Sequence, residues 1–90
     1  MNRKDVLDAA GGAVLRDRAA EHGRPENTFR SIAMLWEAYL GVNVDEVDVA
    51  MLMVLLKVAR AQQNKSNADN YVDIAGYAAC SGELADVVIG

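Results

Sequence analysis

Between Asp48 and Ala61 every residue except Lys57 and Arg60 is apolar, and this segment constrains the fold more than any other. Helical spacing distributes its side chains around the whole circumference, so the helix is hydrophobic nearly all round and needs cover on more than one side. The uninterrupted run, Val49 to Leu56, falls well short of the roughly 20 residues that span a bilayer. A buried helix is the consistent reading. Its start is marked by Asn43 followed three residues later by Glu46, the pairing of a capping box, with Asp45 and Asp48 placed to complement the helix dipole. Its end falls near Gln62. Asp48 shares a side with Leu52, Leu55 and Ala59, which reads as core-facing, and a buried acid needs a partner; capping the backbone amides of the first turn would supply one.

Three further helices are expected around it, and no strand. The first runs from about Asp5 to Glu21, weakened in its middle by Gly11 and Gly12 at about 1 kcal/mol each and stopped by Gly23. The stretch Arg24 to Asn27 reads as a turn, with Asn27 as the cap of a second helix that ends before Gly41 and carries Phe29, Ile32, Ala33, Trp36 and Leu40 on one face. Phe29 and Trp36 are the expected core pair. After a polar loop from Gln63, Ser66 or Asn67 caps a fourth helix running through Asp69 to about Val87. The expected architecture is all-α, one helical domain over residues 1–90, a four-helix bundle-like protomer in which the third and fourth helices form an antiparallel hairpin. Only three other helices are available to cover a helix that is apolar nearly all round, and a subunit interface is the natural remaining cover, so a homo-oligomer is expected.

The composition excludes several function classes. The chain is 52% hydrophobic and 24% charged with one proline, as in an ordinary globular domain, and its net charge of -4 opposes phosphate-backbone coating of DNA. Neither a membrane span nor the apolar core of a signal peptide is present, so the expected location is the cytoplasm. One cysteine and one histidine make neither an internal disulfide nor a Cys/His zinc site. Cys80 reads as a small core residue, with Gly76 and Ala79 allowing close helix packing. A glycine-rich phosphate loop, a dinucleotide fingerprint and a nucleophile elbow are all lacking.

One charge pattern stands out. Lys57 and Arg60 share a helix face, as do Asp69 and Asp73. An antiparallel hairpin turning near Asn64 and Lys65 sets Arg60 opposite Asp69 and Lys57 near Asp73. Two bases meeting two acids make either interhelical salt bridges that fix the register, or a pocket where the bases hold phosphate and the carboxylates hold ribose hydroxyls or Mg²⁺. Trp36, Tyr39, Tyr71 and Tyr77 are aromatics able to stack on a base. Arg16, Arg18, Arg24 and Arg30 form a basic cluster near the first turn.

The runs Pro25-Glu26-Asn27-Thr28-Phe29, Leu35-Trp36, Ala38-Tyr39-Leu40-Gly41, Asp48-Val49-Ala50, Leu55-Leu56-Lys57, Ala59-Arg60 and Asp69-Asn70-Tyr71-Val72-Asp73-Ile74-Ala75-Gly76-Tyr77 resemble a family of small phage and prophage proteins, the domain of unknown function DUF6378. The resemblance covers about residues 16 to 83. It implies a bacteriophage or actinobacterial prophage origin and an all-helical fold, and brings no established activity. Carried onto this chain, the recurring polar positions of the family pattern are Arg18, Glu26, Asn27, Asp48, Lys57, Arg60, Asp69 and Asp73.

Two functions compete on these grounds. The first is a nucleotide-binding protein without turnover, an anti-defence sponge that sequesters a host nucleotide signal of the cyclic nucleotide or cyclic ADP-ribose type. Its expected ligand-binding residues are Lys57, Arg60, Asp69, Asp73, Tyr77, Arg18 and Asn27, with no cofactor and with no membrane or DNA partner. The second is a Mg²⁺-dependent nucleoside triphosphate pyrophosphohydrolase similar to MazG proteins, whose metal ligands would be Asp48, Asp69, Asp73 and Glu83. Glu83-Leu84-Ala85-Asp86 looks like the ExxD half of that family's motif, but its EExxE partner is absent upstream.

Overall fold

The computed structural model describes residues 1–17 and 25–88, with side chains at 1–15 and 28–86. The regular secondary structure among these residues is all helical, without a strand. Helix α1 spans Arg3–Gly12 and passes into a single π-helical turn, Ala13–Asp17; α2 spans Pro25–Leu40, α3 Glu46–Gln63 and α4 Ala68–Val88.

Local chemistry sets each boundary. Asn2 caps α1, accepting from the Asp5 amide while the Asp5 carboxylate accepts from the Asn2 amide, so the helix starts earlier than the spacing of its apolar residues suggested. Gly11 and Gly12 close the regular part. The chain then widens to π geometry over Ala13–Asp17. The expected stop at Gly23 lies outside the described residues.

Pro25 begins α2, so the expected cap at Asn27 is corrected: Asn27 lies inside the first turn. A proline suits that position, since its missing N–H has no helical acceptor there anyway. At the other end, Gly41 adopts φ 72° and its amide donates to the Glu37 carbonyl, the left-handed ending that glycine supplies without a Cβ penalty. The Glu37 carboxylate also accepts from the Val44 amide at 2.9 Å, fixing the short connection.

The start of α3 is likewise shifted from Asn43 to Asp45. Asp45 accepts from the Asp48 amide at 2.8 Å and Asp48 accepts from the Asp45 amide at 3.0 Å, a complete capping box. Asp48 is therefore a cap, and it is exposed rather than buried. At α4 the Asn67 side chain accepts from the Asp69 amide, as expected.

The most extensive helix pairing is between α3 and α4, while α1 packs on α4 and α2 on α3. Arg30 of α2 reaches Glu46 at 3.1 Å, so α2 crosses the beginning of α3 instead of running its length. The core sits at that crossing: Phe29 and Ala33 of α2, Val49 and Ala50 of α3, and Cys80 and Leu84 of α4, edged by Val14, Ile32, Trp36, Val44, Val47 and Tyr77. Phe29 packs on Tyr77, with ring centroids 6.1 Å apart, and Trp36 lies half-buried at the edge. The expected Phe29–Trp36 pair is thus replaced at the ring contact by Phe29 with Tyr77.

Candidate functional site at the α3–α4 seam

The hairpin connection sets the register that brings the bases to the acids. The Asn64 amide closes α3 by donating to the Arg60 carbonyl, and the Asn67 amide donates to the Asn64 carbonyl. Ser66 Oγ donates to Asn64 Oδ1, and Tyr71 OH donates to the Lys65 carbonyl at 2.7 Å. Tyr71 is thereby committed to holding the loop.

In this register Lys57 Nζ meets Asp73 Oδ2 at 2.8 Å, with the Lys57 side chain 17% and the Asp73 side chain 38% exposed. The predicted pair forms. Its companion does not: Arg60 and Asp69 are both exposed, and among the described residues no ion pair joins them. Three residues along a helix rotate a side chain by about 60°, which carries Arg60 off the seam that Lys57 faces, and Ala61 is buried there instead.

Asp73 also opens on a small cleft between α4 and the π-helical turn, lined by Ala13, Val14, Val72, Gly76, Tyr77 and Cys80. The turn approaches α4 so closely that a Cβ on Gly76 would lie 3.1 Å from Val14 Cγ1. The cleft holds about 20 Å³, room for about one water. Gly76 and Cys80 are buried, so the small residues of α4 serve close packing, as their spacing suggested. The π-helical form of this turn carries no sequence signal beyond the Gly11-Gly12 pair that precedes it. A second depression, formed by Trp36, Tyr39 and Leu40, also went unread.

The remaining expected ligand residues are not all in view. Arg18 lies outside the described residues, as do Arg24 and the side chains of Arg16 and Asn27. Arg30 is engaged with Glu46.

The four acids of the hydrolase reading do not converge. Asp48 is in the first turn of α3 and Asp69 in the first turn of α4, at opposite ends of an antiparallel hairpin. Glu83 is fourteen residues from Asp69 along α4, about 21 Å at 1.5 Å per residue. Among the described residues no three acidic, histidine or cysteine side chains are grouped to hold a metal ion.

Comparison with known proteins places the chain in a family. The model of a domain of unknown function, DUF6378, matches residues 5–85. The chain belongs to the DUF6378 family. It is similar to the Gene 55 protein of Mycobacterium phage D29, 35% identical over 77 residues covering 86% of this chain and 51% of the relative. It is also similar to the Gene 55 protein of Mycobacterium phage L5, 42% identical over 74 residues covering 81% of this chain and 47% of the relative. This DUF6378 chain therefore spans about half the length of these curated relatives. No solved structure matches it. The bacteriophage affiliation and the all-helical fold agree with the sequence expectation. Among the described residues no helix is long and apolar enough to cross a membrane.

Proposed function

We propose that this DUF6378 domain is a phage nucleotide-binding module that retains its ligand without turning it over, in the manner of a sponge for a host nucleotide immune signal. The observation that carries the reading is the Lys57–Asp73 pair, a lysine held in a partly buried seam by one carboxylate, with exposed Arg60 one turn further along and Tyr77 beside it in the adjoining cleft. A phosphate competes with Asp73 for the Lys57 ammonium and takes a second, forked contact from Arg60. Displaced Asp73 and nearby Asp69 are acceptors for ribose hydroxyls, and Tyr77 offers a ring to a base. The wide separation of Asp48 and Glu83 from Asp69 and Asp73 favours binding over metal-assisted hydrolysis. The similarity to mycobacteriophage proteins is consistent with a role against host defence.

A nucleotide needs a pocket of several hundred Å³, far more than the cleft provides, so binding lifts the Ala13–Asp17 turn away from Gly76. The test is a thermal-shift screen of nucleoside triphosphates, cyclic oligonucleotides and cyclic ADP-ribose isomers on the parent chain, Lys57→Ala and Arg60→Ala. At least one compound is expected to raise the parent's melting temperature, with the shift lost in both variants while their helical circular dichroism persists. Unfolding of Lys57→Ala would instead assign the pair to holding the hairpin together, and a ligand whose shift survives in both variants would move the site elsewhere.

A further inference from the structure

The face of α3 turned away from α4 carries Asp48, Met51, Leu52, Leu55, Val58, Ala59 and Gln62. All are exposed, Leu55 at 59% and Met51 at 48%. Their spacing of three and four residues is that of a coiled-coil seam. The apolar residues form one stripe, without a lysine or arginine on it and with a polar residue at each end. Isolated exposed leucines need no explanation, but a continuous apolar stripe marks a contact surface.

We infer that this stripe is a homodimer interface, in which α3 of one protomer packs antiparallel against α3 of a second copy about a two-fold axis at Leu55. The stripe is arranged symmetrically about that residue. Antiparallel pairing sets Leu55 on the partner's Leu55, Met51 on the partner's Ala59, Leu52 on the partner's Val58, and Asp48 on the partner's Gln62. Large side chains meet smaller ones, and the acid meets an amide able to donate to it. Parallel pairing would instead bring the two Asp48 carboxylates together. A self-complementary patch of this kind is what an isologous interface requires.

The stripe is open along its length, with Leu52 42% and Val58 38% exposed beside Leu55 and Met51, and because each of its residues meets a residue of the same stripe across the two-fold axis, a second copy is the occupant it fits. A lipid surface fits less well, because interfacial helices flank their apolar face with lysine and arginine and this stripe ends in Asp48 and Gln62.

Sedimentation equilibrium of the parent chain and Leu55→Glu, with circular dichroism of both, tests the inference. The expected result is twice the chain mass for the parent and the single-chain mass for the variant, with equal helicity because Leu55 is exposed. A second variant, Leu55→Cys, places a thiol on the two-fold axis, and mild oxidation is expected to give a covalent dimer; Lys4→Cys, on exposed α1, is the control that does not cross-link. A monomeric parent would assign the stripe to another partner. A dimer that persists in Leu55→Glu and does not cross-link through Leu55→Cys would place the interface on another face. Either result overturns the inference.

Discussion

Individual residues in this chain are constrained by backbone geometry more than by size. Gly41 has φ 72°, a conformation that costs an L-residue about 1–2 kcal/mol, so Gly41→Ala is expected to lower the unfolding free energy by about that amount in urea titration. Gly76 is a different case. Its added Cβ would crowd Val14 at 3.1 Å, while alanine improves helix propensity by about 1 kcal/mol. Gly76→Ala is therefore expected to be close to neutral alone and stabilising by about 1 kcal/mol in a Val14→Ala background, a double-mutant cycle readable by the same titration. At this scale the sequence was informative about charge and silent about orientation. Lys57 opposite Asp73 follows from the hairpin register. That Arg60 leaves the seam does not, because both bases occupy acceptable positions until the packing of Ala61 fixes the helix rotation.

At the scale of the elements, caps explain both what was legible and what was missed. The acids around the start of α3 announced a helix there, but Asn43 with Glu46 and Asp45 with Asp48 offer the same spacing, and only the chain path from Gly41 selects the second. Asp45→Ala removes the side-chain acceptor of the chosen box and is expected to cost about 1 kcal/mol. Asn43→Ala should cost only a few tenths, so denaturation of the pair separates the two caps. Tyr71→Phe removes the bond to the Lys65 carbonyl and is expected to cost about 1 kcal/mol with no loss of ligand, since Tyr71 is occupied in the loop. Helix α3 itself shows the limit of periodicity. A helix apolar all round does not say which side turns inward, and Asp48 was assigned to the core face because its neighbours Leu52, Leu55 and Ala59 are apolar. That face is exposed, and Val49, Ala50 and Ala61 are the buried ones.

For the whole molecule, one small core carries the fold among the described residues. Val49 is its largest fully buried side chain. Stability that is shared across a dimer depends on protein concentration. The α3 pairing therefore predicts a melting temperature that rises with concentration in the parent and stays constant in Leu55→Glu. The all-helical class and the hairpin were legible because they rest on periodicity and loop composition. The packing of α2 over the start of α3 was not, since it depends on the short Gly41–Asp45 connection and on how Phe29 and Ala33 seat against Val49 and Ala50. The proposed ligand role rests on a seam whose basic and acidic groups were recognisable from sequence, while the closeness of the Ala13–Asp17 turn was not.

The most direct test of the ligand-retaining role is to incubate the parent protein with the nucleotide panel, with and without Mg²⁺, heat-denature it, and analyse the released small molecules by mass-resolved chromatography. The account predicts a compound depleted from solution and recovered intact, irrespective of Mg²⁺. Pyrophosphate and a monophosphate appearing only with Mg²⁺ would contradict it and identify a hydrolase.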